Sequence, residues 1–343
     1  MEDADYAVVG MGGMMETAQA AVDYIRATMG VKVGAVHVTC FAPFPATQLV
    51  AAHTNVQAAT IVERRDNPLA QSNPLTQGIR AAFADALTGL SYGSYGEFKY
   101  PAITRIPKLY SCAAGLGSRD IRGCHFNSII KNMLDAQPKE FSCVGVKHKL
   151  ELADAEDPDL RPSGAFSMRG HSVGGFGSVT TNKLIASFVG ELFNLHVQAY
   201  PKYGSEKKGL PTTYYLTVAD AHIRTHSELE HVEFIPLNDV NAFNLGNPLA
   251  GIANGGSVFI QSDKLDPQDV WNAIPAYGQK IIRTKKLRVY FLDTVKIARS
   301  VATDPDLQQR MQGVCLVGIF IKVTPFAARS GMGDEQVLAS VEK

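Results

Sequence analysis

YAVVGMGG (Tyr6–Gly13) is a short apolar run that ends in glycines, and a helical stretch, Met14–Met29, follows it directly. A short apolar run predicts a buried strand, and clustered glycines predict a tight turn. Strand, turn and helix in this order form the repeating unit of α/β proteins, in which helices cover a parallel sheet. The stretch therefore predicts an α/β fold.

The same alternation continues through the first half of the chain. Runs rich in β-branched residues indicate strands, and glycine or proline breaks the chain between elements. Because strands alternate with helices, we expect a parallel sheet covered on both faces. Strands are predicted at 33–39, 59–63 and 109–112, helices at 46–52, 74–87 and 119–134, and a tyrosine- and glycine-rich loop at 91–100.

An acidic segment with two prolines, Glu151–Pro162, indicates a linker. After it the alternation restarts, with a glycine-rich turn at 170–177, a helix at 178–193 and an apolar helix at 307–322. A length of 343 residues suits two domains of about 100–200 residues each. We predict two three-layer α/β domains, at 1–150 and 164–330, joined by a linker at 151–163. Strands of the second domain are predicted at 195–199, 213–218, 232–236, 257–261 and 287–291.

Composition excludes several classes of function. Basic and acidic residues number 33 each, so the charge balance gives no reason to expect nucleic acid as a partner. The longest apolar run, Val314–Ile321, is too short to span a membrane, which takes about 20 residues. The five cysteines form no CxxC pair, and the acidic start, Met1–Asp5, lacks a signal-peptide pattern. We expect a cytoplasmic protein with free thiols, no metal site and no membrane partner.

Three glycine-bearing segments could bind an anion. Gly10–Gly13 does not complete a GxGxxG motif, so a tight turn without a ligand is the better interpretation. RGHSVGGFG (Arg169–Gly177) is a stronger candidate, because Gly174 and Gly175 let the backbone approach a phosphate and Lys183 follows in the next helix. A close helix–sheet turn explains this segment equally well.

YPKYGSEKKG (Tyr200–Gly209) is the third segment, and it follows a predicted strand. Lys202, Lys207 and Lys208 concentrate positive charge at the strand end where open α/β sheets bind ligands. A solvated loop is the alternative. His222 and His226 lie four residues apart without an HExxH motif, so we expect no metal there, and the order of residues nominates no catalytic group.

These segments together resemble the pyruvate:ferredoxin oxidoreductase family. The first half resembles its second domain, which has a transketolase C-terminal fold, and the second half resembles its gamma-type domain. The first resemblance rests on Val8–Gly12, Val33–Val38, Phe44–Leu49, Ile61–Pro68 and Leu116–Arg119. The second rests on Gly174–Gly177, Asn182–Lys183, Tyr203–Gly209, Asn254–Gly256, Thr294–Ala298 and Met311–Gln312.

The resemblance implies a function. The family cleaves 2-oxoacids with thiamine diphosphate, passes electrons through iron–sulfur clusters to ferredoxin, and transfers the acyl group to coenzyme A. The gamma-type domain helps to hold coenzyme A. Carried over to this sequence, the resemblance implies coenzyme A contacts at Gly174, Gly175, Gly177, Asn182, Lys183, Ser205, Lys207 and Lys208.

Several parts of the family pattern are absent from this sequence: the GDG motif that binds thiamine, the cluster-binding cysteines and the pyrimidine-side domain. We therefore expect thiamine diphosphate, magnesium and iron–sulfur clusters on partner subunits, in a hetero-oligomer that reduces ferredoxin. The chain would contribute structure and coenzyme A contacts and no catalytic residue. Two alternatives stay open: a non-catalytic coenzyme A or nucleotide-binding module, and a family member that does not use coenzyme A.

Overall fold

The protein is described here by a computed structural model that forms two compact units. Unit 1 comprises Met1–Leu160 with Arg224–Glu228, and unit 2 comprises Arg161–Ile223 with Leu229–Lys343. The structure describes residues 1–93, 96–173, 178–202, 210–239, 241–333, 336 and 339.

Unit 1 is built on a parallel five-stranded sheet in the order β2-β1-β3-β6-β7. The strands of this unit are β1 (Tyr6–Met11), β2 (Val33–Val38), β3 (Ala58–Glu63), β4 (Ser91–Tyr92), β5 (Phe98–Lys99), β6 (Lys108–Ala113) and β7 (Phe141–Cys143). The helices are α1 (Met14–Met29), α2 (Ala46–Ala52), α3 (Pro74–Thr88) and α4 (Gly123–Leu134), with a 3₁₀ turn at Leu116–Ser118.

Helices cover both faces of this sheet, because successive side chains of a strand point to opposite faces. On β1, Val8 packs into a core that includes α1 and α4, whereas Ala7 and Val9 pack into a core that includes α2 and α3. All six residues of β3 are buried. A central parallel strand is largely apolar when both of its faces are covered.

A segment from later in the chain, Arg224–Glu228, belongs to unit 1 and packs on α1. Arg224 pairs with Asp23 at 2.7 Å, and the His226 Nε2 lies 2.7 Å from the Glu16 carboxylate. The His226 backbone N–H also donates to the Thr17 hydroxyl at 2.9 Å. His226 is therefore engaged by an acidic partner on a helix.

Unit 2 contains a mixed six-stranded sheet in the order β13-β12-β11-β8-β10-β9. Among its described strands, β10 runs in the direction opposite to the other five. Its strands are β8 (Phe166–Val173), β9 (His196–Lys202), β10 (Pro211–Ala219), β11 (Val232–Leu237), β12 (Ile252–Gln261) and β13 (Arg288–Leu292). Its helices are α5 (Ser178–Phe193), α6 (Ala242–Leu245), α7 (Pro267–Ala273), α8 (Ala276–Lys285), α9 (Thr294–Val301), α10 (Pro305–Val323) and α11 (Phe326–Ser330).

The same three-layer principle organises unit 2. Phe234 and Phe259 pack with residues of α5 and α10 on one face, and Ile235 and Val258 pack with residues of α6, α7 and α8 on the other. The α/β class predicted from the sequence is confirmed. Among the described residues, no helix is long and apolar enough to cross a membrane.

Two local predictions need correction. The segment Ser91–Tyr100 was expected to be a loop, but it includes the hairpin strands β4 and β5, in which the rings of Tyr92 and Phe98 stack at 5.0 Å. The turn predicted at 170–177 is wrong at its start, because β8 continues to Val173. Gly170 lies opposite Tyr214 in the antiparallel pair, and a Cβ there would come within 1.9 Å of the buried tyrosine ring. That glycine makes room for the ring within a strand.

We expect Gly170→Ala to lower the free energy of unfolding of unit 2 by about 1–3 kcal/mol, because the added methyl group overpacks a fixed aromatic ring. Urea unfolding monitored by tyrosine fluorescence measures the change. The matched control is Gly318→Ala in α10, where nothing lies within 4 Å of the added Cβ. The control is expected to be neutral or slightly stabilising, since alanine favours a helix. Equal stability of the two variants would contradict this account of Gly170.

Candidate functional site

The carboxyl ends of β8, β11 and β12 in unit 2 open onto a cavity of about 310 Å³, called the coenzyme cleft after the ligand that the resemblance leads us to expect. In open α/β sheets ligands bind at this edge. The ends of β8 and β12 and the turn after β11 supply polar side chains to the cavity. Helices α5 and α10 form one of its sides. Polar lining residues include Ser172, Thr181, Asn238, Asp239, Gln261 and Thr294.

A single glutamine fixes one wall of the coenzyme cleft. The Gln261 Oε1 accepts hydrogen bonds from the Thr294 backbone N–H, at 2.9 Å, and from its hydroxyl. The Gln261 Nε2 donates to the Asp293 carboxylate at 3.2 Å, and Asp293 caps α9 by accepting the Lys296 backbone N–H at 2.9 Å. This network ties the end of β12 to the start of α9, so the wall is preorganised.

The opposite wall depends on backbone contacts. The His171 carbonyl accepts the backbone N–H groups of Asn238 and Asp239 at 2.8 and 3.3 Å, which joins β8 to the turn after β11. Beside this turn α5 and α10 lie close together at Gly313 and Thr181. A Cβ on Gly313 would lie only 2.1 Å from the Thr181 hydroxyl oxygen. Small residues therefore set the width of the cleft on this side.

A neighbouring cavity of about 550 Å³ adjoins the coenzyme cleft and shares Gln261 with it. Its rim carries the exposed cations Lys264, Lys296 and Arg299. Its lining also holds two carboxylates. Three cations against two carboxylates leave the lining net positive, which suits an anionic ligand.

The imidazole of His171 lies behind the cleft in a neutral form. Burial, reinforced by the charge of Arg169, lowers the pKa of His171 to about 4. Arg169 is itself buried and donates to the carbonyls of Leu229, at 2.9 Å, and Pro248, at 3.1 Å. This arginine therefore holds the loops behind the sheet and keeps the histidine uncharged near neutral pH.

Two of the residues predicted from the sequence lie near the start of α5. Asn182 is buried, and its amide donates to the Tyr215 carbonyl at 2.8 Å, while Lys183 is exposed to solvent. Asn182 directly follows Thr181 of the coenzyme cleft. The other predicted contacts lie outside the described residues: Gly174, Gly175, Gly177, Ser205, Lys207 and Lys208.

The flanks of both predicted glycine-bearing loops meet at one end of the sheet. Val173, the last residue of β8, pairs with Pro211, the first residue of β10, and Lys202 at the end of β9 pairs with Thr213. Val173 also lines the coenzyme cleft. The described chain on either side of the two loops therefore leads to the same edge.

Sequence reasoning missed several polar and basic residues of this edge. Each follows an apolar strand: Asn238 and Asp239 follow β11, Gln261 ends β12, and Asp293 follows β13. The sequence signal that could have predicted them is a polar residue directly after a β-branched or aromatic run, because parallel strands end at a common edge. The cations that went unnoticed are Lys264, Lys296 and Arg299.

One cluster in unit 1 has the composition of a metal site. Potential ligand atoms of Cys124, His125 and Asp154 lie within 4.8 Å of one another. Burial raises the pKa of the Cys124 thiol to about 12, which opposes the thiolate that a metal needs. The guanidinium of Arg122 already pairs with the carboxylates of Asp154 and Asp157, at 3.4 and 3.1 Å.

The tautomer of His125 also opposes metal binding. Its Nδ1 accepts the Arg122 backbone N–H at 3.1 Å, so the proton of the neutral ring is on Nε2. That nitrogen lies 3.4 Å from the Asp154 carboxylate. The cluster is therefore a capping network for the start of α4.

Comparison with known proteins gives the class. The family model for pyruvate ferredoxin/flavodoxin oxidoreductase matches residues 167–343, and the model for pyruvate:ferredoxin oxidoreductase core domain II matches residues 4–97. The chain belongs to the pyruvate ferredoxin/flavodoxin oxidoreductase family, as its resemblance predicted.

Individual relatives are distant and longer. The chain is 25% identical to the pyruvate-flavodoxin oxidoreductase of Trichormus variabilis over 99% of its own length and 27% of the relative. It is 26% identical to the pyruvate:ferredoxin oxidoreductase of Moorella thermoacetica over 90% of its length and 25% of the relative. The chain thus spans about a quarter of these relatives. Among solved structures, a pyruvate oxidoreductase subunit of Thermotoga maritima matches with a TM-score of 0.35 and 18% identity, over 52% of this chain and 91% of that one.

The half-buried His171 predicts acid sensitivity. Its pKa of about 4 lies below the ordinary value of 6.5, so the unfolded chain binds the proton more readily. Stability is therefore full above pH 6.5 and is lost as pH falls toward 4, by on the order of 3 kcal/mol. We expect His171→Gln to flatten the fall of the unfolding free energy over this range. The control is His196→Gln, at an exposed ring on β9. An unchanged pH profile in His171→Gln would refute the assignment.

Proposed function

We propose that the chain is a subunit of a multi-subunit 2-oxoacid:ferredoxin oxidoreductase. This cytoplasmic enzyme would decarboxylate pyruvate or a similar 2-oxoacid oxidatively and transfer the acyl group to coenzyme A. The chain itself would contribute structure and coenzyme A contacts. The observation that carries the proposal is the coenzyme cleft at the carboxyl edge of the unit 2 sheet, beside a rim of three exposed cations.

Coenzyme A combines phosphates with a long, neutral arm, and the two adjoining cavities have matching chemistry. Lys264, Lys296 and Arg299 suit phosphates as positive charges, and the amide and hydroxyl groups of the cleft suit a neutral polar arm. Lys183 adds an exposed cation on α5. The proposed contacts remain Gly174, Gly175, Gly177, Asn182, Lys183, Ser205, Lys207 and Lys208.

The other cofactors fit this chain poorly. An iron–sulfur cluster is held by several cysteine thiolates, and the five cysteines of this sequence are widely spaced. No pair of cysteines is spaced as CxxC, and no GDG motif occurs for thiamine diphosphate and its magnesium ion. We therefore propose partner subunits that bind thiamine diphosphate and carry ferredoxin-like clusters, with ferredoxin as electron acceptor.

Charge reversal tests the coenzyme A contacts. We expect Lys183→Glu, and separately the double variant Lys207→Glu with Lys208→Glu, to raise the apparent KM for coenzyme A about tenfold in the assembled enzyme. Loss of a charge that faces a phosphate costs about this much. Lys280→Glu, at an exposed position on α8, is the matched control and should leave the KM unchanged. Identical coenzyme A kinetics in all variants would contradict the proposal that these lysines contact coenzyme A.

The subunit assignment has its own test. We expect an anaerobic affinity purification of the tagged chain from its native cells to yield partner chains together with iron and thiamine. A chain that elutes alone, without either cofactor, would contradict the proposal. Titration of that lone chain with coenzyme A would then measure whether it is a binding module instead.

A further inference from the structure

A second polar cavity lies in unit 1, at the carboxyl ends of β3, β6 and β7. Its volume is about 380 Å³, within the range of small-molecule sites. Loop residues after β3 and after β7 form its rim, and the strand ends form its floor. No residue of this cavity belongs to the coenzyme cleft, so an inference about it is independent of the proposed function.

Buried hydroxyl groups line the floor and the adjoining loop after β3. Ser72, Ser111 and Ser142 are all more than nine-tenths buried and contribute to the cavity wall. The Ser72 hydroxyl has no hydrogen-bond partner among the described residues. A buried hydroxyl without a partner costs free energy that a ligand oxygen would recover.

The nearest buried carboxylate does not compete for these hydroxyls. Glu63 accepts the backbone N–H groups of Leu75 and Thr76, at 2.8 and 3.2 Å, and the Thr76 hydroxyl at 2.9 Å. Its charge is therefore satisfied by the start of α3. The Thr76 hydroxyl lies 3.3 Å from the Ser111 oxygen, which connects this network to the cavity floor.

The rim favours an anion. Lys147 supplies a positive charge, and the His148 Nδ1 accepts the Leu150 backbone N–H at 3.2 Å, which leaves the His148 Nε2 as a donor. Asp66 is the one carboxylate among the described lining residues. A second negative charge on the ligand would meet this carboxylate, so a monoanion fits better than a dianion.

Apolar side chains form another part of the cavity wall. Leu116, Phe141, Val146 and Leu150 contribute side chains to the wall. Apolar surface next to a few convergent polar groups is typical of a site for a small organic molecule. Inorganic phosphate would leave this apolar surface without a partner.

From these features we infer that unit 1 binds a short-chain monocarboxylic acid, with its carboxylate between Lys147 and the serine hydroxyls and its hydrocarbon part against Phe141 and Leu150. The ligand would bind without chemical change, because no activated nucleophile lines the cavity. Burial raises the pKa of its only lining thiol, that of Cys143.

Butyrate is the probe, titrated into the full chain by calorimetry and by ligand-observed NMR. We expect saturable one-site binding that Lys147→Glu weakens about tenfold, the effect of reversing one facing charge. Lys149→Glu is the matched control, because Lys149 is exposed, lies two residues away and does not line the cavity. It should bind butyrate as the unmodified chain does.

A second variant and a second ligand keep the inference falsifiable. Ser72→Val should abolish butyrate binding, and intermolecular NOEs from butyrate should reach the Phe141 ring in the unmodified chain. Absence of saturable binding would overturn the inference. Equal affinity in Lys147→Glu and Lys149→Glu would do the same. If phosphate bound as tightly as butyrate, the cavity would be a general anion site, and the inference of a carboxylic acid site would be wrong.

Discussion

Parallel strands end at a common edge, and this constraint determines where each unit keeps its polar groups. A strand covered on both faces is largely apolar, and the six buried positions of β3 hold only two polar residues, Thr60 and Glu63. The charged side chain of β3 appears where the strand ends. Glu63 is the last residue of β3, and Gln261 is the last residue of β12. The 380 Å³ cavity of unit 1 and the coenzyme cleft of unit 2 lie at the sheet edges where these two strands end.

Both units satisfy the strand-end side chain in the same way. Glu63 accepts the free backbone N–H groups at the start of α3, and Gln261 accepts that of Thr294 at the start of α9. A helix start offers donors without intrahelical partners, and a buried carboxylate or amide needs such donors. Each contact joins a strand to a helix, so it also fixes the spacing of the cavity walls. Rigidity of the edge is thus a result of capping.

Much of the fold follows from periodicity, and the departures have local causes. Helix 178–193 was predicted with the bounds that α5 has, since its polar start follows a glycine-rich segment. The early end expected for β8 was wrong because Gly170 serves the packing of Tyr214, a contact 44 residues away that no local pattern contains. Likewise β7 has only three residues, too few to give a periodic signal. The sequence predicted the parts of the coenzyme cleft that lie in Arg169–Gly177 and in α5. It did not predict the polar residues at the ends of β11 and β12, because only the sheet brings these separate strand ends together.

Cys112 and Cys124 are buried, and burial raises the pKa of each thiol to about 12. These thiols act as small apolar side chains inside a packed core. The sheet edges, in contrast, present preorganised donors and positive charge. Among the described residues, the polar groups and charges that suit a ligand therefore lie at those edges, while these two buried thiols contribute to packing.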